Sequence, residues 1–191
     1  MAKLKIFTFP DIVLTHKAAP IPRVEKSYYK LADDMLETMY FAPGIGLAAN
    51  QVGILERILV LDTEYDYEEI EEGQEPVITG RKPQIIINPE IIKKEGKITL
   101  TEGCLSVPEY NAEVQRAEKI KLQYQTIDGL TKTLSAEGLL AVCIQHEMDH
   151  LEGKLFIDRL SPLKKEMVRK RLRQERLLRE EEDRMKIRKG I

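Results

Sequence analysis

The spacing of apolar positions changes along the chain, and each change marks an element. From Ser27, the residues Tyr28, Leu31, Met35, Leu36 and Met39 recur every three to four positions with Lys and Asp between them, which predicts an amphipathic helix ending before Pro43 and its following glycines. Ile58, Leu59, Val60 and Leu61 form a short apolar run, as do Ile85, Ile86 and Ile87 ahead of Asn88-Pro89, and both read as buried strands. Across 112–134, Val114, Ile120, Leu122, Tyr124, Ile127, Leu130 and Leu134 alternate roughly with polar residues. Asp128-Gly129 supplies a hairpin-type turn, so antiparallel strands are expected there. Residues 137–151 hold no proline and carry an apolar face of Leu139, Leu140, Val142, Cys143 and Ile144, the pattern of a buried helix.

The connections are equally readable. Pro10, Pro20 and Pro22 exclude one long helix near the start and predict an extended loop. Residues 62–76 contain eight acidic residues and no basic one, which predicts an exposed, mobile loop. Ser161-Pro162 suits a helix N-cap and first position, after which Leu163, Met167, Leu172 and Leu178 make a thin apolar stripe in a charged segment. No internal repeat is present.

Composition narrows the class. A chain of 191 residues with 42% hydrophobic content is long enough for one domain with its own core. The N-terminal MAKLKIFTFP has no apolar run of signal-peptide length, and no stretch reaches the roughly 18 apolar residues of a membrane span. A cytoplasmic protein with no membrane partner is expected. Two cysteines, Cys104 and Cys143, fit a reducing compartment, a single bridge being the alternative. The net charge of −2 is unevenly divided: residues 161–191 carry 12 Lys+Arg against 6 Asp+Glu, leaving −8 for the other 160. A basic tail on an acidic body suggests an anionic partner for the tail, against the plainer reading of a solvated charged helix.

The sharpest chemical signal is QHEMDHL, where His146 and His150 stand four residues apart and project from one helix face. Two imidazoles so placed can share one cation. Glu147 lies on the adjoining edge, poorly set to be a ligand but within reach of a water at the metal, which suits a general base. A catalytic site needs a third protein ligand and an open position. Cys104 in EGCLS is the candidate, a thiolate being a good ligand for a borderline metal and Gly103 permitting close approach; the competing reading is a small buried hydrophobe. Cys143, one turn before His146, is expected to line a pocket, and His16 to lie on the surface. A metalloprotease would instead need a carboxylate beyond the helix, Glu166 or Glu175, in the basic tail. A basic RNA-binding module with a structural metal would need a fourth ligand, and none is near.

A third segment, GIGLAANQVG at 44–53, combines glycines with the amide of Gln51. GIGLAANQ, EGCLS and QHEMDH stand in the order and approximate spacing of the three motifs of the peptide deformylases, and nearly the whole chain resembles that family. The resemblance implies removal of the formyl group from the N-terminal methionine of new proteins, with N-formylmethionyl nascent peptides as substrates. It also implies an α+β fold in which antiparallel sheets surround a central helix carrying HExxH. Residues 1–160 would form the catalytic domain and 161–191 a basic C-terminal helical extension that docks on the ribosome. By the same resemblance Cys104, His146 and His150 bind one divalent metal, Fe2+ in the cell and Zn2+, Ni2+ or Co2+ in some preparations. Glu147 is the acid/base, and Gln51 with the Leu105 backbone N–H forms the oxyanion site. Gly46 and Leu47 would hold the substrate backbone and side chain, while Ile45, Leu139, Val142 and Cys143 line a methionine pocket. Two departures stand out: many bacterial members have an arginine a few residues beyond EGCLS, where Tyr110 and Asn111 stand here, and the 62–76 insertion is longer than in the shortest members.

Overall fold

The computed structural model describes residues 3–68 and 77–189. In chain order its elements are α1 (Ser27–Phe41), β1 (Gly46–Ala48), β2 (Ile58–Leu61), β3 (Asp66–Glu68), β4 (Val77–Thr79), β5 (Gln84–Glu95), β6 (Ile98–Cys104), β7 (Val107–Arg116), β8 (Lys119–Gln125), β9 (Thr131–Glu137), α2 (Gly138–Leu151) and α3 (Pro162–Lys189). Five strands form one antiparallel sheet in the order β1-β2-β5-β8-β9, and β3-β4 and β6-β7 form separate hairpins. The arrangement is α+β with antiparallel sheets.

Strand β2 is apolar at every position because both of its faces are covered. Ile58 and Val60 join Met35 and Met39 of α1 in one core cluster, while Leu59 and Leu61 join Ala141, Cys143 and Ile144 of α2 in another. Each fully buried aliphatic side chain contributes about 1.5–3 kcal/mol, so the strand clamps α1 and α2 to opposite sides of the sheet. A third cluster joins Val107 and Val114 of β7 to Phe156 and to Val168 and Leu172 of α3.

Three expectations need correction. The strand read at Ile85, Ile86 and Ile87 does not stop at Asn88-Pro89; β5 continues to Glu95 through a register shift between Ile87 and Glu90. Asn88 takes a φ of 49°, and its side chain bonds the N–H and C=O of Ile21, so the irregularity absorbs a proline that cannot donate to the ladder. The 62–76 stretch is not all loop: Asp66–Glu68 is a strand paired with Val77–Thr79, and residues 69–76 lie outside the described residues. Its first acid, Asp62, is buried, where it accepts hydrogen bonds from the Tyr40 hydroxyl at 2.6 Å and the Lys82 N–H at 2.6 Å. Within 112–134 the strands are antiparallel and the turn falls at Asp128-Gly129 as expected: β8 pairs with β9 across it, β7 pairs with β6, and Leu130 lies exposed beside the turn, where Gly129 takes a φ of 79°.

The third correction concerns α3. Of the expected stripe only Leu172 is buried, and it docks the helix together with Val168, while Leu163, Met167 and Leu178 are exposed. Leu163 and Leu172 are nine residues apart, about 2.5 turns, so they face opposite ways. Asp158 anchors this docking through Lys165 at 2.8 Å and Arg169 at 2.6 Å.

Candidate active site

Helix α2 is buried along most of its length, and its i, i+4 spacing turns His146 and His150 toward the end of β6. The β6–β7 register shifts between Glu102 and Cys104, which places the thiol against that helix. Cys104 Sγ lies 3.2 Å from His150 Nε2, and the ligand atoms of Cys104, His146 and His150 all fall within 4.8 Å of one another. Among the described residues this is the one such group of three or more. Glu166 is exposed and Glu175 accepts a hydrogen bond from Arg171 on α3, so neither carboxylate joins the histidines. His16 is exposed, and both cysteines are free.

The donor set fits a borderline divalent metal: one thiolate and two imidazoles, with a carboxylate close by. His146 Nδ1 bonds Glu102 Oε2 at 2.8 Å, which leaves its Nε2 for a ligand. Glu102 is bound in turn by Arg116, whose guanidinium is fully enclosed and also meets Asp149 at 2.8 Å. Arg159 makes two further bonds to Asp149 at 2.6 Å. Burial works against the charged form of Glu102, but the hydrogen bonds from Arg116 and His146 outweigh it and hold its carboxyl below the usual range.

Glu147 has a different environment. Burial pushes its carboxyl up to about 7, against the opposing pull of the His146 and Arg116 cations. Its Oε2 is buried without a hydrogen-bond partner, which leaves it free to bond a bound molecule. Strand β1 crosses directly above: a Cβ at Gly46 would lie 2.5 Å from Glu147 Oε1 and 2.9 Å from Cys143 Sγ. Only glycine lets the backbone come this close. The Cys143 thiol is pushed well up by burial, which marks it as an inert lining group.

Gln51 sits in the 3-10 turn Ala49–Val52. Its Oε1 accepts the Ala48 N–H at 2.8 Å, while its Nε2 donates to Ser106 Oγ at 3.2 Å and lies 3.7 Å from Cys104 Sγ. The amide orientation is thereby set, with the NH2 beside the thiol. These groups open onto a cavity of about 480 Å³.

The structure brings most of the sequence-predicted residues to that cavity. Gln51, Cys104, Leu105, His146 and Glu147 line its chemical end, with Ile45, Gly46, Leu139, Val142 and Cys143 on its walls. His150 sits behind Cys104. Leu47 departs from expectation: its side chain is fully buried in the α1 core, because adjacent strand residues point to opposite faces and Gly46 takes the cavity side. Tyr110 stacks on Phe156, and neither it nor Asn111 lines the cavity; Pro108 and Glu109 form that wall. Sequence reasoning missed the Glu102–Arg116–Asp149 chain. Glu102 and Asp149 lie inside the motifs EGCLS and HEMDH, which could have flagged them, but nothing local marks Arg116.

A thiol and two imidazoles at ligand spacing, beside a buried carboxylate and an oriented amide donor on an α+β scaffold, define the site of a metal-dependent hydrolase. The family profile described as polypeptide deformylase matches residues 3–166. The chain is 49% identical over 181 residues to peptide deformylase 2 of Xanthomonas axonopodis pv. citri, covering 92% of this chain and 98% of the relative. It is 50% identical over 179 residues to the peptide deformylase of Xylella fastidiosa, again covering 92% and 98%. The crystal structure of the Ehrlichia chaffeensis peptide deformylase in complex with actinonin is similar at a TM-score of 0.79 and 40% identity, over 92% of this chain and 98% of that one. That of a Legionella pneumophila peptide deformylase gives 0.77 and 40%, over 93% and 98%. The chain belongs to the polypeptide deformylase family.

Proposed function

We propose that this chain hydrolyses the N-formyl group from the N-terminal methionine of newly synthesised proteins, releasing formate, with Cys104, His146 and His150 holding one divalent metal. The observation that carries this reading is the convergence of the three ligand atoms within 4.8 Å next to the unpartnered Glu147 Oε2. When bound, a divalent cation supplies hydroxide near neutral pH and polarises the formyl carbonyl. In this reading α2 is the central helix, with the five-stranded sheet on one side and the β6–β7 hairpin on the other.

The side chains then divide the work. Glu147 takes the proton from the attacking water and returns it to the departing amine, a role suited to a carboxyl that burial favours in its protonated form. Gln51 Nε2 and the Leu105 backbone N–H donate to the formyl oxygen as charge develops there. Ile45, Leu139, Val142 and Cys143 surround the methionine side chain, and Gly46 lets the peptide backbone lie against β1.

Formate release from formyl-Met-Ala-Ser by the metal-loaded protein tests the reading. Release that actinonin inhibits supports it, whereas cleavage of internal peptide bonds without formate would replace it with a protease. Gln51→Ala should lower kcat by roughly 10²–10³-fold with little change in KM, because an oxyanion donor acts mainly in the transition state. A fall confined to KM would remove Gln51 from that role.

The donor set accepts Fe2+, Zn2+, Co2+ or Ni2+, and Fe2+ is the metal we propose for the cell. Residues 1–160 act as the catalytic domain and 161–191 as a basic helical extension. The excess of cations on that extension supports docking to ribosomal RNA phosphates, in the cytoplasm. Removing residues 166–191 should abolish cosedimentation with ribosomes at low salt; unchanged cosedimentation would end this part of the reading. No described helix is long and apolar enough to cross a membrane.

A further inference from the structure

Two consecutive carbonyls of the cavity wall are tied to the segment that follows β2. The Asp62 N–H donates to the Ile45 carbonyl at 2.9 Å, and the Tyr65 hydroxyl donates to the Gly44 carbonyl at 3.0 Å. From the other side the wall is pressed closely. A Cβ at Gly44 would lie 2.8 Å from Leu105 Cδ1, and one at Gly46 would meet Glu147. Residues 44–46 are therefore caught between Tyr65 behind them and the chemical groups in front.

Tyr65 is itself held. Its ring meets that of Tyr40 edge-on at 5.0 Å, and the Tyr40 hydroxyl donates to Asp62 Oδ2 at 2.6 Å. The Arg81 guanidinium lies over the Tyr40 ring at 4.5 Å, and the Lys82 N–H closes on Asp62 Oδ2 at 2.6 Å. Both ends of the β3–β4 insertion thus converge on one buried carboxylate. Burial, with Asp62 and Tyr67 adding, keeps the Tyr65 hydroxyl above its ordinary range, so it remains a donor at physiological pH.

We infer that Tyr65 is a positioning residue for substrate: its hydroxyl fixes the Gly44 carbonyl, so that Ile45 and Gly46 meet the peptide at a set distance from Glu147. The inference rests on the deformylase reading for the identity of the peptide. It gives the insertion a role in recognition. A hydrogen bond to a half-buried neutral group is a modest contribution, so the expected effect is a change in binding and not in chemistry.

Tyr65→Phe keeps the ring and removes only the donor. It should raise KM for formyl-Met-Ala-Ser roughly three- to tenfold with kcat within about twofold, with metal content and thermal midpoint retained. Amide hydrogen exchange across residues 44–47 should quicken in the same variant, a readout independent of catalysis. Tyr67→Phe, on the same insertion, should change neither quantity. Unchanged KM and unchanged exchange in Tyr65→Phe would overturn the inference, as would a fall in kcat at constant KM. A wild type that releases no formate would sink the deformylase reading instead, and exchange at 44–47 would still decide whether Tyr65 fixes the wall.

Discussion

Glu147→Ala should lower kcat for formate release by roughly 10²–10⁴-fold while the metal content, measured by elemental analysis, stays equal to wild type. The two halves of that result have separate causes. Glu147 is not among the groups whose atoms cluster as ligands, so its loss leaves Cys104, His146 and His150 intact. Its carboxyl is nevertheless the one buried acid at the cavity with an unpartnered oxygen among the described residues, so no neighbour can take over the proton. Glu147→Gln is the companion variant, since it preserves the volume beneath Gly46 and removes only the titratable group. Loss of metal in either variant would reassign Glu147 as a ligand, and activity within tenfold of wild type would require another proton carrier.

The second large effect lies away from the cavity. Arg116→Ala should destabilise the fold by about 3–5 kcal/mol, read from urea unfolding, because it takes the main partner from the buried Glu102 carboxylate and leaves Asp149 to Arg159 alone. Glu102 and Asp149 are both buried, and the Arg116 side chain between them is fully enclosed. Removing it leaves Glu102 charged and without its main partner, or protonated and differently bound to His146. Metal affinity should consequently fall by roughly 10–100-fold, as expected when a group orienting a metal-binding histidine is lost. A variant in which Arg116, Glu102 and Asp149 are all replaced by apolar residues of similar volume should recover part of the stability without the metal affinity. A loss below about 1 kcal/mol in Arg116→Ala would show that water reaches the pair.

Much of the active site was legible because its chemistry is written in short segments. His146, Glu147 and His150 follow from helical spacing, and Gly46 and Gln51 from a motif whose residues are neighbours in the chain. The amphipathic helix from Ser27, the double-sided burial of β2 and the 137–151 helix were likewise local patterns. Leu47 shows what the motif leaves open: its side chain turns to the α1 core because β1 is a strand and its neighbours alternate, which leaves only its backbone for the cavity side. The α3 stripe held only at Leu172, which with Val168 joins the cluster around Phe156, while Leu163, Met167 and Leu178 face solvent.

Sequence alone carried the ligand types, the candidate acid/base and the family resemblance, because these depend on residue identity and on spacings within short segments. Only the tertiary structure decided which carboxylates are buried and what they hold. Arg116 reaches Glu102 and Asp149 across 14 and 33 residues of chain, and Tyr65 reaches Gly44 across 21. Such pairings carry no local signal: each charge or hydroxyl is ordinary in the sequence, and becomes specific only when folding removes water and leaves it one partner.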